Sequence, residues 1–245
     1  MTDHSTAGEA MPDPRSHGFF FDFDGTLAEI APRAEDVVLD RGLRADLLRL
    51  WQRSGGAVAA LSGRRRADLA RYLPADIPLA GLHGWEIEGG DTIEIAALAH
   101  ALDGLRDSLA AITAHHPGAR LEDKGPALAL HWRLAPEAEP ALTLAAEQAV
   151  AALGPAWVLQ PGKCVVEIRP RGHDKGDALR RFMAHPPFRG RRPVAFGDDL
   201  TDIPMLRAAR QAGGLAVAVG ERDLPCDLRL AGPAALALWI RRSLE

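Results

Sequence analysis

The sequence is poor in cysteine and lacks any long uninterrupted apolar segment. Cys164 and Cys226 are the two cysteines among 245 residues, which excludes a disulfide scaffold. No apolar run approaches the roughly 20 residues that a membrane-spanning helix needs. These features fit a reducing compartment, and a cytoplasmic protein is the expectation.

Excess positive charge is also missing. The formal net charge is -4, and the longest block of like charges is Arg64-Arg65-Arg66. This balance gives no electrostatic reason to expect a nucleic-acid or membrane partner. No GxGxxG follows the first apolar run, which disfavours a dinucleotide-binding protein. The oligomeric state is left open, with a monomer as the working expectation.

The order of apolar runs and helical patterns predicts the fold class. Apolar strand-like runs alternate with helix-like segments at both ends of the chain, which is typical of an α/β, doubly wound, Rossmann-like parallel sheet. The middle of the chain reads instead as an inserted α+β module, starting with a hairpin at Gly89-Gly90-Asp91. The predicted division is a polar, disordered tail over 1–17, a core over 18–83 plus 171–245, and the insertion over 84–170.

Two carboxylates follow the first predicted strand. Asp22 and Asp24 lie two positions apart in FDFDG, so they project to the same side of an extended chain. At the carboxyl end of a parallel strand they face the crevice where such sheets bind ligands. One can act as a nucleophile and the other as an acid and base. The alternative is that they are loop carboxylates that cap a helix.

Polar residues follow the other predicted core strands. Ser62 and Gly63, in LSGR, can bind a phosphoryl oxygen through a hydroxyl and backbone N–H groups, although a plain N-cap is equally consistent. Lys175, in DKG, can neutralise an anionic transition state, or it can be a solvated helix-start charge. Asp198, Asp199 and Asp202 form an oxygen-rich set suited to magnesium, with helix capping as the alternative.

These motifs together resemble those of the haloacid dehalogenase superfamily: FDFDGTL, LSGR, the lysine of DKG, and GDDLTD. More narrowly, GLHG, EDKG with ALALHWR, and VEIRP ahead of HDKG resemble the trehalose-6-phosphate phosphatase family. The resemblance covers about residues 19–219. One departure is Ile203, where the family pattern usually has glutamate.

The resemblance implies roles for the core residues. Asp22 is the expected nucleophile of a phosphatase that forms an aspartyl-phosphate, and Asp24 the expected general acid and base. Ser62, Gly63 and Lys175 are expected to bind the phosphoryl group. Magnesium (Mg²⁺) is the implied cofactor, with Asp22, the backbone carbonyl of Asp24 and Asp198 as its implied ligands.

The resemblance also implies that the insertion is a cap domain that recognises a small sugar phosphate. Lys124, His131 and Glu167 are the implied sugar contacts. The residues themselves leave other readings open, because Lys124 can be solvated in its glycine-bounded turn. His131 and Glu167 lie in strand-like runs, where they can also partner each other.

Three rival functions remain open at this stage. Another sugar-phosphate phosphatase with the same core and cap is the nearest, and a phosphomutase is a second. The third is a sugar-phosphate-binding module without turnover, which has no need of an acid and base beside the nucleophile.

Overall fold

The computed structural model describes residues 11–87 and 92–245. Of the predicted tail, residues 1–10 lie outside the described part. The remaining tail residues include a turn in which Asp13 accepts backbone hydrogen bonds from Ser16 and His17. The first strand then begins at His17.

Six parallel strands form the core sheet, in the order β10-β9-β8-β1-β2-β3. The strands are β1 (His17–Phe21), β2 (Val58–Leu61), β3 (Leu79–Ala80), β8 (Arg192–Gly197), β9 (Leu215–Val219) and β10 (Leu228–Leu230). The core helices are α1 (Arg41–Arg53), α2 (Arg66–Leu69), α6 (Lys175–Met183), α7 (Ile203–Gln211) and α8 (Pro233–Ser243).

Strand β1 shows why the sheet is covered on both faces. Phe19 and Phe21 belong to a buried cluster with residues of α1 and α8, whereas Phe20 belongs to a second cluster with residues of α6 and α7. Successive side chains of a strand point to opposite faces, so a run of phenylalanines is buried on both sides. The predicted doubly wound core is confirmed.

Four antiparallel strands form the second sheet, in the order β4-β5-β7-β6. They are β4 (Arg120–Asp123), β5 (Leu128–His131), β6 (Trp157–Gly162) and β7 (Val165–Pro170). The preceding α3 (Thr92–Ala101) and α4 (Asp103–Ala114), with α5 (Glu139–Leu153), complete this unit. A separate apolar cluster, including Leu128, Leu142 and Ile168, forms its core. The predicted α+β insertion is therefore present as a cap on the parallel core.

The predicted hairpin at the start of the insertion is wrong in its second strand. Its turn at Gly89-Gly90-Asp91 lies outside the described residues, but Thr92–Ala101 is helical. The strand-like alternation covers only Ile93, Glu94 and Ile95, and the alanine- and leucine-rich residues that follow favour a helix. Helix α2 has only four residues, and β10 adds a three-residue strand at one edge of the core sheet.

Neither a membrane span nor a disulfide is found in the described part of the chain. No helix there is long and apolar enough to cross a bilayer. Cys164 and Cys226 are both free and partly buried.

Candidate active site

Three carboxylates and one lysine meet at the carboxyl ends of β1 and β8. Asp22 follows β1, Asp198 follows β8, and Asp202 lies in the turn after β8. One oxygen of each lies within 4.8 Å of the others, and all three residues are buried. Lys175, the first residue of α6, is 2% exposed and donates to Asp22 Oδ1 at 2.5 Å and Asp202 Oδ1 at 2.6 Å. The solvated-charge interpretation of Lys175 is wrong.

Asp202 organises the loop that carries Asp198. Its Oδ2 accepts the backbone N–H groups of Asp198 at 2.9 Å and Asp199 at 3.0 Å, while its Oδ1 is taken by Lys175. Both oxygens of Asp202 are therefore occupied. By contrast, Asp22 Oδ2 and Asp198 Oδ1 receive no hydrogen bond from the described residues.

The electrostatics of this cluster favour a cation. Burial raises the pKa of Asp22 well above its usual range, and the neighbouring charges of Asp202 and Asp198 add to the effect, opposed by Lys175. Burial also raises the pKa of Asp198. Two buried carboxylates with a free oxygen each, next to a third carboxylate, form the hard oxygen set that Mg²⁺ prefers. The residues present therefore fit a divalent metal ion.

Asp24 faces a different partner. Arg64 donates from Nε to Asp24 Oδ2 at 2.6 Å and from Nη2 to Asp24 Oδ1 at 2.7 Å. The guanidinium carbon lies 5.3 Å from the ring centroid of Phe23 and 5.5 Å from that of Tyr72. Burial lowers the pKa of Arg64, but its hydrogen bond to Asp24 more than offsets this effect and the pKa is raised. The Asp24 carboxylate thus lies outside the cluster of Asp22, Asp198 and Asp202.

A tight loop after β2 carries Ser62 and Gly63. Ser62 is 1% exposed, and its Oγ accepts the backbone N–H of Arg64 at 3.2 Å. A Cβ on Gly63 would lie 2.7 Å from the His83 ring, so this position requires glycine. Gly25 is required in the same way: it has φ of 88°, and a Cβ there would lie 2.3 Å from Asp198 Oδ2.

The cap contributes one ion pair and one hydrogen-bonded pair to the opposite wall. Lys124 Nζ donates to Glu167 Oε2 at 2.8 Å, and to the carbonyl of Gly63 in the core at 3.1 Å. His131 Nε2 lies 2.8 Å from Glu122 Oε2. The open question about partners is thereby answered: Glu167 pairs with Lys124 and not with His131.

These contacts shift the pKa values of Lys124, Glu167 and Glu122. Burial lowers the pKa of Lys124, but the charges of Glu167 and Glu122 raise it above its usual value. Burial raises the pKa of Glu167, but Lys124 and His83 hold it well below its usual range. Burial likewise raises the pKa of Glu122, and the hydrogen bond with His131 and the charge of Lys124 lower it to about 2.

One cavity of about 560 Å³ lies between the core and the cap. Two further ion pairs cross it, between Lys163 Nζ and Asp198 Oδ2 at 2.8 Å and between Arg120 and Glu35 at 2.9 Å. Except for Asp202, the residues that the sequence indicates for the site line this cavity: Asp22, Asp24, Ser62, Gly63, Lys124, His131, Glu167, Lys175, Asp198 and Asp199.

Sequence reasoning missed several residues of this cavity. Arg64 stands inside LSGR and His83 inside GLHG, so both were within quoted motifs without a role. Glu122 lies two positions before Lys124 in the EDKG string. Lys163 had no sequence signal, because its partner Asp198 belongs to the other unit of the fold.

A parallel core beneath an α+β cap is also found in proteins of known structure. A phosphatase of the haloalkanoate (HAD) superfamily from Bacteroides thetaiotaomicron has a similar fold, with a TM-score of 0.59 at 18% identity over 98% of this chain and 99% of its own. The sequence profile of the trehalose-phosphatase family matches residues 20–224, and the chain belongs to that family.

Individual relatives agree with this family. The chain is 42% identical over 229 residues to a trehalose-6-phosphate phosphatase of Escherichia coli, covering 91% of this chain and 85% of the relative. It is 43% identical over 204 residues to a probable trehalose-phosphate phosphatase of Sinorhizobium fredii, covering 82% and 77%. The crystal structure of a trehalose-6-phosphate phosphatase related protein superposes with a TM-score of 0.80 at 25% identity, covering 94% and 97%.

Proposed function

We propose that this protein hydrolyses trehalose 6-phosphate to trehalose and phosphate through an aspartyl-phosphate on Asp22. The observation that carries the proposal is the position of Asp22. It lies at a strand end between Lys175 and Asp198, and it lines a cavity whose far wall consists of polar cap residues. The substrate is inferred from the names of the relatives that are 42% and 43% identical.

Mg²⁺ is the proposed cofactor, held by Asp22, Asp198 and the backbone carbonyl of Asp24. Its chemistry is charge neutralisation, which offsets the repulsion between a carboxylate nucleophile and a phosphate dianion. Lys175 assists from the protein side, because its ammonium already contacts Asp22. Ser62 and Gly63 are proposed to bind the phosphoryl oxygens through the hydroxyl and backbone N–H groups.

The reaction consists of two displacements at phosphorus. The Asp22 carboxylate forms a bond to phosphorus as the bond from phosphorus to the sugar oxygen breaks, and Asp24 gives its proton to that oxygen. A water molecule then loses a proton to Asp24 and attacks the aspartyl-phosphate. The bond between Asp22 and phosphorus breaks, phosphate leaves, and both aspartates return to their starting forms.

Residues 84–170 are proposed to act as the specificity domain of this enzyme. Lys124, His131 and Glu167 belong to the cap and line the same cavity as Asp22, which supports their proposed role as sugar contacts. Glu167 Oε1 is buried and has no hydrogen-bond partner in the described chain, which suits an acceptor for a sugar hydroxyl.

The test is phosphate release from trehalose 6-phosphate and a panel of other sugar phosphates, with and without Mg²⁺. The expected result is metal-dependent release with a clear preference for trehalose 6-phosphate. A preference for a different ester would show that trehalose 6-phosphate is not the substrate. Transfer of phosphate to a second sugar would indicate a mutase. Tight binding without release would contradict the enzymatic proposal.

A further inference from the structure

The segment that leads from the core into the cap has an unusual backbone. Leu82 has φ of 49°, His83 of 57° and Gly84 of 109°, so three consecutive residues occupy the left-handed region. For residues other than glycine this conformation is uncommon and is maintained only where the surroundings fix it. Here Leu82 is 2% exposed, and the His83 N–H donates to the carbonyl of Ser62 at 2.9 Å.

This backbone directs the His83 ring against the predicted phosphate-binding loop. His83 is 7% exposed, and its Cε1 and Nε2 lie 2.7 Å from the place where a Cβ of Gly63 would be. The ring is therefore in close contact with the loop that carries Ser62. Burial lowers the pKa of His83, so the imidazole is neutral near pH 7 and has a single N–H to donate.

The same ring faces the cap. His83 Nε2 lies 3.5 Å from Glu167 Oε2, which is longer than a well-formed hydrogen bond. Glu167 Oε2 is held by Lys124 at 2.8 Å. His83 Nε2 and Glu167 Oε1 are both buried without a hydrogen-bond partner in the described chain. Unpaired buried polar atoms are unfavourable, so two of them on neighbouring residues of one cavity point to a contact that forms when the cavity is filled.

We propose that His83 is a positioning residue, which donates from Nε2 to the Glu167 carboxylate when a sugar phosphate is bound and thereby aligns the cap with the phosphate loop. Glu167 Oε1 then remains free to accept from a sugar hydroxyl. This inference rests on the proposed function, because His83 acts through a cap residue, Glu167, that is proposed to recognise the sugar. His83 itself touches no reacting atom.

A purely structural role and a positioning role predict different kinetics. His83→Phe keeps a ring against Gly63 but removes the donor. We expect it to lower kcat/KM for trehalose 6-phosphate about 10-fold, and to change kcat/KM for p-nitrophenyl phosphate less than about 3-fold. His83→Gln, whose amide N–H can reach the same place, should restore most of the loss. His173→Phe is the matched control: His173 packs on Trp85 outside the cavity and should leave both substrates unaffected.

A double-mutant cycle with Glu167→Ala completes the test. On that background His83→Phe should cause no further loss, because the group that it positions is gone. Equal losses of kcat/KM on both substrates would overturn the proposal. So would losses from His83→Phe and Glu167→Ala whose free energies add in the double variant. His83→Asn is polar but too short to reach Glu167, and it should reproduce the sugar-selective loss if the phenylalanine variant does not fold.

A binding measurement distinguishes a failure of this inference from a failure of the proposed function. In the turnover-deficient Asp22→Asn protein, calorimetry measures the affinity for trehalose 6-phosphate directly. His83→Phe should weaken that affinity about 10-fold, and unchanged affinity would contradict the positioning role. Failure of the wild-type protein to release phosphate from trehalose 6-phosphate would instead refute the proposed function, whatever the variant binds.

Discussion

Arg64 binds both carboxylate oxygens of Asp24, at 2.6 and 2.7 Å. Two hydrogen bonds from one guanidinium hold this carboxylate in a fixed plane. To protonate a leaving sugar oxygen, Asp24 must free at least one of these oxygens. Arg64 therefore sets the direction from which Asp24 can act on the substrate.

The first prediction concerns the nucleophile. Asp22→Asn should abolish phosphate release by many orders of magnitude, because the amide cannot form the aspartyl-phosphate and is a poorer metal ligand. The measurement is single-turnover phosphate release with a folded protein, checked by circular dichroism. Substantial release would contradict covalent catalysis by Asp22.

The second prediction concerns the acid and base. Asp24→Asn should lower the first-step rate for trehalose 6-phosphate by about 10²–10⁴-fold, because a sugar alkoxide is a poor leaving group. Arg64→Lys keeps the charge but loses the bidentate contact, and a loss of about 10-fold is expected. An aryl ester with a good leaving group should suffer less in both variants. First-step rates on the two esters are measured by stopped flow, and equal losses would exclude a leaving-group role.

The third prediction concerns metal binding without turnover. A saturating Mg²⁺ concentration, about 100 times Kd, should stabilise the wild-type protein by roughly 2.7 kcal/mol and raise Tm by about 5–10 °C. Asp198→Asn should remove most of this shift. Asp68→Asn is the control, because Asp68 pairs with Arg71 and does not line the cavity. The Tm shift is measured by thermal unfolding with Mg²⁺ and with a chelator. A full shift in Asp198→Asn would exclude Asp198 as a metal ligand.

The fourth prediction concerns the cap. Glu167→Ala and Lys124→Ala should lower kcat/KM for trehalose 6-phosphate roughly 10- to 150-fold. This range corresponds to the free energy lost with one charged hydrogen bond in a closed site. Because these side chains form a buried pair, Lys124→Met with Glu167→Gln is a useful double variant, since it leaves no buried charge unpaired. Glu147→Gln, on the exposed side of α5, is the control. Equal losses on an aryl phosphate would assign these residues to the core chemistry or to folding.

The fifth prediction concerns acid stability. The pKa of Glu122 is lowered from 4.5 to about 2 in the folded protein, so the stability it contributes is present above the unfolded value and lost as pH falls towards 2. Between pH 7 and pH 3, wild-type protein should lose up to about 2 kcal/mol more unfolding free energy than Glu122→Gln. Urea unfolding across this range measures the difference. Glu35→Gln, from an exposed pair, is the control and should follow the wild type closely.

The core site was predictable because it depends on local sequence and simple topology. Asp22, Ser62 and Asp198 each follow a buried apolar run, and parallel strands end at one edge of a sheet. Their convergence in the structure follows from these two facts. The hydrophobic pattern was less informative near Thr92, where three alternating residues indicated a strand and the helix-favouring residues after them prevailed.

Contacts between core and cap could not be predicted. The pairs Lys163–Asp198 and His83–Glu167 join residues that are far apart in sequence, and their approach depends on how the two units sit on each other. A charged residue in a strand-like run indicates that some partner exists, but not which one. For the same reason the sequence offered a sugar hydroxyl or His131 as the partner of Glu167, whereas the structure pairs Glu167 with Lys124.

All strands of the second sheet come from one continuous stretch, Arg120–Pro170, and none of them joins the parallel ladder of the core. The chain crosses between the units at two linkers, where Trp85 and His173 pack edge to face at 4.5 Å. Everything between these linkers can therefore be lengthened, shortened or exchanged without breaking a hydrogen bond of the core sheet. The proposed specificity domain is thus an insertion with a sheet of its own, and a change in the sugar that it accepts requires no change in the hydrogen bonds of the core sheet.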